Sequence, residues 1–215
     1  MHISARSRHP TRIRIPDRAG TIVEETIYRV LMFFIIPVWI AAGFLDFICH
    51  RRSHIAELAG AKESWIHLLM FAQVGLALLM GAFLQATALT LVLMLLLLIG
   101  HELAGYWDLH YAGSRRTITP LEQQVHSFLE LMPLFALISV VIMNWDVAMA
   151  LAGIGHGERQ WSLTLKASSL PTWYLVSVAV AVVLFSVVPY VIELRDGLRA
   201  DRAKRAPIAP GYRAP

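Results

Sequence analysis

Residues Thr87–Asp108 read TALTLVLMLLLLIGHELAGYWD, and this stretch decides the fold. As far as Ile99 it is apolar apart from two threonines, and its length matches the roughly 20 residues that a helix needs to cross a bilayer. His101 and Asp108 lie near its end and fall about 20° apart around a helix. Because ionisable residues in a bilayer-spanning helix are rare and mark functional sites, the stretch predicts a membrane helix with a functional group at one end.

Four further blocks have the same apolar character. They are Ile27–Cys49, Ser64–Phe83, Leu129–Met143 and Trp173–Leu194, the third of which spans a bilayer only if its helix begins earlier, near Glu122. The chain of 215 residues is 57% hydrophobic and only 16% charged, outside the usual range of soluble domains. No block alternates like a barrel strand, so only a helix satisfies its backbone in lipid. We therefore predict an all-α fold, an integral membrane helical bundle of about five transmembrane helices.

Charged residues concentrate beside these blocks. We assign residues 1–26 to a basic N-terminal tail, 27–195 to the bundle and 196–215 to a basic C-terminal tail. The first block is too long for a signal-peptide core, so it predicts a retained helix. With five crossings, the side that receives the C-terminal tail holds eleven Lys and Arg, against eight on the other side. The positive-inside rule then places the first side in the cytoplasm.

Three further carboxylate–histidine pairs lie at the ends of apolar blocks. Their members are four residues apart and share a helix face: Asp46 with His50, Glu63 with His67, and Glu122 with His126. Along the chain, the four pairs lie alternately at the end of one block and at the beginning of the next. All four pairs are therefore expected to meet near the same, cytoplasmic, face of the membrane.

These eight side chains fit a metal site with two layers, one helical turn apart. The deeper layer would hold Asp46, His67, His101 and His126, and the outer layer His50, Glu63, Asp108 and Glu122. That separation suits two metal ions about 3.5–4 Å apart with bridging carboxylates. Imidazole and carboxylate ligands favour iron, with zinc or manganese as alternatives. The single cysteine, Cys49, is interpreted as a small buried residue rather than a metal ligand. We predict that four of the helices form a metal-binding four-helix core.

Five other residues are weaker candidates. His54 and Glu57 fall on the same helical stripe as the first pair and are predicted as extra metal ligands or as groups that support them. Glu130 lies deeper in its helix and is predicted as a catalytic proton carrier, although a ligand or a hydrogen-bonded core acid fits equally well. Arg115 and Arg116 would anchor lipid head groups or bind the polar end of a substrate.

Two stretches resemble a group of small bacterial inner-membrane proteins that have no settled function. They are DFICHRRSHI at Asp46–Ile55, followed by KESWIH at Lys62–His67, and SRRTITPLEQQVHSFLE at Ser114–Glu130. The resemblance covers about Leu45–Glu130, implies a location in the bacterial inner membrane and supplies no substrate. More loosely, His50 and His54 resemble one histidine box of the membrane di-iron oxygenases, the desaturases and hydroxylases. The chain has no His-His pair, so the catalytic residues of those enzymes are not carried over.

The leading hypothesis is a membrane enzyme with a di-iron centre that uses dioxygen to oxidise a hydrophobic or lipid-like substrate. The alternatives are a dinuclear zinc hydrolase acting on a lipid ester or phosphate, and a carrier of metal ions or protons. A b-type cytochrome is disfavoured by the carboxylate beside each histidine. Expected partners are membrane lipid, the substrate and an electron donor that the sequence does not name. A homo-oligomer is compatible with the sequence, and the net charge of +4 does not suggest nucleic acid.

Overall fold

The computed structural model describes residues 18–154, 159–168 and 170–206. Within these ranges the chain forms seven helices and no strand. They are α1 (Gly20–Arg52), α2 (Ile55–Leu58), α3 (Ala61–Phe83), α4 (Ala88–Gly113), α5 (Pro120–Met143), α6 (Trp145–Ala152) and α7 (Thr172–Arg205). All except α2 and α6 are long and apolar enough to cross a membrane. The predicted all-α bundle is confirmed, and its length and composition are those of a multi-pass membrane protein.

The five long helices close into a ring. Helix α3 packs between α4 and α7, α1 packs between α5 and α7, and contacts between α4 and α5 complete the ring. Large apolar side chains such as Phe34, Leu96 and Leu103 are more than half exposed on its outside, which suits contact with lipid. The sequence predicted a core of four helices, whereas in the structure α7 is a fifth member of the ring.

The two terminal long helices each contain a π-helical turn. The turns are Leu31–Ile35 in α1 and Val183–Val187 in α7. Each comes just before a proline, Pro37 or Pro189, which lacks the N–H that a regular α-helix would use. The wider turn accommodates the missing hydrogen bond, so both helices stay continuous across the bundle.

A backbone contact between α7 and the start of α3 sets the position of α7. Gly197 lies against Ala61 so closely that an added Cβ would be 2.9 Å from the Ala61 Cα. One turn further along α7, Asp201 accepts a hydrogen bond from the Ala61 N–H at 3.0 Å and caps α3. One turn in the other direction, on the same face of α7, Glu193 is buried inside the ring. The contact at Gly197 therefore positions Glu193.

Both terminal helices extend past the predicted borders of the bundle. Helical structure begins at Arg18 and ends at Arg205, whereas the sequence predicted a bundle over residues 27–195. A helix satisfies its own backbone hydrogen bonds and does not have to stop where the apolar pattern stops. The end of α7 is also held by α2, where the Lys204 ammonium donates to the Glu57 carbonyl at 2.6 Å. Residues 1–17 and 207–215 of the predicted tails lie outside the described residues.

Replacing Gly197 with Ala should destabilise the bundle. The new Cβ would meet backbone atoms, which cannot move aside like a flexible side chain, so we expect a loss of about 1–3 kcal/mol. The measurement is thermal unfolding in detergent. Gly75→Ala in α3 is the control, because nothing lies within 4 Å of its added Cβ. Equal melting temperatures for the two variants would contradict the close approach.

Candidate metal centre

The side chains of the predicted carboxylate–histidine pairs, apart from His101, come together at one end of the ring. The Nε2 of His126 lies 3.0 Å from Asp46 Oδ1, and that of His67 lies 3.1 Å from Asp108 Oδ1. The Nε2 of His50 lies 3.4 Å from the same oxygen of Asp46. Because helices that enter and leave this end contribute alternate pairs, α1, α3, α4 and α5 all supply side chains to one cluster.

The cluster contains two overlapping groups of ligand atoms that lie within 4.8 Å of one another. One group is Asp46, His50 and His126, and the other is His50, Glu63 and His67. Several buried atoms of the cluster have no hydrogen-bond partner among the described residues: His50 Nε2, His67 Nε2, Asp46 Oδ1 and Asp108 Oδ1. Buried polar atoms are nearly always hydrogen-bonded, so close ligand atoms without such bonds fit a site that could hold a metal ion.

Glu193 of α7 holds two of the imidazoles. Its carboxylate oxygens lie 2.9 Å from His50 Nδ1 and 3.0 Å from His67 Nδ1. A carboxylate only accepts, so both Nδ1 atoms carry a proton, and in the neutral rings both Nε2 atoms keep a lone pair. This is the usual arrangement around metal-bound histidine. The two rings are stacked, with centroids 4.6 Å apart and planes 8° apart, and each Nε2 atom lies near an aspartate oxygen, that of Asp46 for His50 and that of Asp108 for His67.

Arg116, between α4 and α5, closes the outer side of the cluster. Its Nη2 lies 2.6 Å from Glu63 Oε1 and 2.6 Å from Glu122 Oε1. Burial alone would lower the pKa of the guanidinium, but the hydrogen bonds to Glu122 and Glu63 raise that pKa above its ordinary value, so Arg116 stays charged. The structure contradicts the predicted head-group role, because both carboxylates occupy Arg116 and only 7% of the residue is exposed.

Arg115 differs from its neighbour. It is exposed, and its guanidinium carbon lies 4.6 Å from the centre of the Tyr111 ring. Its predicted contact with a lipid or substrate head group stays a prediction.

The start of α5 shows how a local helix signal positions a ligand. The Thr119 hydroxyl accepts from the Glu122 N–H at 3.2 Å, and Glu122 Oε2 accepts from the Thr119 N–H at 3.5 Å. This capping box uses one carboxylate oxygen to begin the helix. The other oxygen, Oε1, faces His50 Nε2 at 3.5 Å. The pattern Thr-Pro-Leu-Glu therefore fixes both the first turn of α5 and one side of the cluster.

Negative charge is in excess in this buried region. Five carboxylates are at most 4% exposed, against one buried guanidinium, that of Arg116, among the described residues: Asp46, Glu63, Asp108, Glu122 and Glu193. With neutral imidazoles the region carries four uncompensated negative charges. An isolated charge in a low-dielectric interior is very costly, so protons or bound cations have to compensate these carboxylates.

A cavity of about 1020 Å³ runs from the cluster along the inside of the ring. Asp46, His67 and His126 line one end, and Asn144 and Lys166 line the other. Between these ends the wall consists mainly of apolar side chains from all five long helices. The polar cluster is therefore the inner end of a long apolar chamber.

His54 and Glu57 lie outside the cluster. Their prediction assumed that α1 continues through them, but α1 ends at Arg52 and His54 adopts a left-handed conformation with φ of 53°. The chain turns there into α2, and both side chains are exposed. Their predicted role as ligands is contradicted by this early helix end.

His101 and Glu130 lie deeper in the cavity. His101 is buried and Glu130 is half-buried, and both line the cavity, but neither belongs to the two groups of ligand atoms found among the described residues. His101 was predicted to complete the deeper layer. It lies about 10 Å from Asp108 along α4, which separates it from the oxygen ligands. Cys49 is a buried free thiol, as predicted.

Sequence reasoning missed Glu193 and Tyr190. Tyr190 lines the cavity, and its ring centre lies 6.5 Å from that of His67. A signal for Glu193 was available, because it is an ionisable residue at the end of the last apolar block. It has no histidine four residues away, since Pro189 and Gly197 hold those positions, so a search for pairs passed over it.

Replacing Glu193 with Gln should weaken metal binding about 10–100-fold. The amide can accept from only one Nδ1–H and places its own N–H₂ against the other, so one imidazole loses its orientation. Metal affinity of the purified protein measures the effect. The matched control is Asp196→Asn, on the same helix, whose carboxylate pairs with Arg51 on the surface. An unchanged affinity in Glu193→Gln would contradict the role of Glu193.

His67→Ala and His126→Ala should each lower the metal content of the purified protein, because each removes a nitrogen from the cluster. Elemental analysis gives metal ions per chain. His54→Ala is the control, since its side chain is exposed outside the cluster, and it should keep the wild-type content. Full metal content in both cluster variants would show that the ligand assignment is wrong.

Comparisons with family models, with curated proteins and with solved structures give no match for this chain.

Proposed function

We propose that the chain is a membrane-embedded metalloenzyme that holds two metal ions and oxidises a hydrophobic or lipid-like substrate. The observation that carries this proposal is the position of the cluster. Imidazole nitrogens and carboxylate oxygens that have no hydrogen-bond partner in the described part of the chain face one another at the end of a long, mainly apolar cavity. A metal site there could act on an apolar molecule held away from water.

Two features support two metal ions. The stacked imidazoles of His50 and His67 have nearly parallel planes and ring centres 4.6 Å apart, which suits one nitrogen for each of two metals about 3.5–4 Å apart. One metal would take His50, Asp46 and His126, and the other His67, Asp108 and Glu63. Two divalent cations also balance the four negative charges of the buried region, and neutral imidazoles remain free to ligate.

The donor set favours iron, with manganese and zinc as competitors. It contains imidazole and carboxylate without thiolate, a combination that suits these metals. Two irons would supply the redox chemistry. Insertion of oxygen into a C–H bond consumes one dioxygen and two electrons with two protons, and gives an alcohol and one water. The electrons require a separate reductant, which we take to be a membrane or cytoplasmic electron carrier.

The cavity supports an apolar substrate. Its wall is mainly apolar from the cluster to Asn144, so an acyl chain could lie within it and reach the metals with one end. An ion carrier would need polar groups along the whole of this path, whereas most of the lining side chains are apolar. A zinc hydrolase acting on a lipid ester would fit the same ligands and differs in the source of the oxygen it adds.

Isotope labelling separates these chemistries. The purified, metal-loaded protein is incubated with a bacterial lipid extract, a chemical reductant and ¹⁸O₂, and the lipids are analysed by mass spectrometry. We expect ¹⁸O in a lipid product and iron in the protein. Label that enters only from H₂¹⁸O, together with bound zinc, would support the hydrolase. If no labelled product of either kind formed, that result would contradict an enzyme of either class.

Ala136→Phe should abolish product formation and leave metal content unchanged. Ala136 lines the cavity, so the larger ring would fill part of the space for the substrate without touching the cluster. Ala41→Phe, on the exposed side of α1, is the control and should keep full activity. Wild-type activity in Ala136→Phe would show that the substrate does not use the cavity.

A further inference from the structure

A second set of polar side chains lines the cavity beyond the metal cluster. It consists of His101 on α4, Gln73 on α3 and Glu130 on α5. None of them belongs to the two groups of ligand atoms among the described residues. This set therefore has no role in the proposed metal chemistry.

Gly100 lets the Gln73 side chain approach α4 closely, and Gly105 lies beside the Glu130 side chain. A Cβ on Gly100 would lie 2.8 Å from Gln73 Nε2, and a Cβ on Gly105 would lie 3.8 Å from Glu130 Oε1. His101 lies between these glycines in sequence, so the three polar side chains meet one short segment of α4. Bulkier residues at Gly100 would displace the Gln73 amide.

Two members of this set, His101 and Gln73, have buried polar atoms without a hydrogen-bond partner among the described residues. His101 is 4% exposed, and neither of its ring nitrogens has a hydrogen-bond partner among the described residues. The backbone carbonyls of Leu129 and Met70 lie near the ring but do not meet hydrogen-bond geometry. The Oε1 of Gln73 is also buried without a partner. Unpaired buried polar atoms are rare, and here they belong to residues that line a cavity.

We propose that His101, Gln73 and Glu130 bind the hydroxyl group of a long-chain, otherwise apolar alcohol. A hydroxyl both donates and accepts, so it can donate to Gln73 Oε1 and accept from the N–H of neutral His101. Glu130, on α5, offers a further oxygen near Gly105 of α4. A ligand with a carbonyl group could not donate a hydrogen bond to Gln73 Oε1, and an alkane could form no hydrogen bond with any of these side chains. The apolar wall of the cavity receives the chain of the alcohol.

Competition photolabelling tests this site. The protein in phosphatidylcholine vesicles is labelled with a diazirine derivative of hexadecanol, and unlabelled hexadecanol or hexadecane is added as competitor. We expect hexadecanol to compete at roughly tenfold lower concentration than hexadecane, as one or two buried hydrogen bonds require. His101→Phe and Gln73→Leu should each remove this preference. Gln124→Leu, exposed on α5, should keep it.

The same samples separate this proposal from the proposed enzyme activity. Metal-free wild-type protein should retain the preference for hexadecanol, and both variants should retain their metal content. Equal competition by the two compounds in the wild type would overturn the hydroxyl site, and so would an unchanged preference in Gln73→Leu. Gln73→Leu alone decides the outcome if His101→Phe does not fold.

Discussion

The structure depends on one pair of hydrogen bonds, from the Nδ1–H groups of His50 and His67 to the carboxylate of Glu193. They fix the tautomer of both rings and turn both Nε2 atoms toward the oxygen ligands. Glu193 can do this only because α7 comes into backbone contact with the start of α3 at Gly197. A single close helix contact on the outer turn therefore determines the geometry of the cluster one turn deeper.

Electrostatics gives the cluster its second constraint. Five carboxylates buried beside one guanidinium would repel one another strongly in a medium of low dielectric constant. Arg116 pairs with Glu63 and Glu122 on the outer side and offsets one of their two charges, while Asp46 and Asp108 face the imidazoles. Divalent cations between those groups would relieve the repulsion and use the lone pairs that Glu193 has oriented. The same cations would lie at the end of the apolar cavity, where a substrate chain can reach them.

Much of this arrangement is predictable from the sequence. The apolar blocks give the five spans, and the order of the acid–histidine pairs places them at one end of the bundle because consecutive helices run in opposite directions. The errors have local causes. The prediction that α1 continues through His54 was wrong because the helix ends two residues earlier, at Arg52. The spacing of polar and apolar residues does not indicate where a helix ends. Arg116 looked like a surface residue because one of its two carboxylate partners, Glu63, is 53 residues away in the sequence. Glu193 lacked a neighbouring histidine, although its place in an apolar block was itself a signal.

Metal titration of the metal-free protein tests the central claim most directly. Divalent metal is added in measured equivalents in detergent, and the melting temperature is followed. A site that binds only the folded state stabilises it by about 4 kcal/mol at a thousandfold excess over the dissociation constant. The account predicts a large rise in melting temperature that saturates at two equivalents per chain. An unchanged melting temperature would contradict the metal centre, and saturation at one equivalent would contradict its two-metal form.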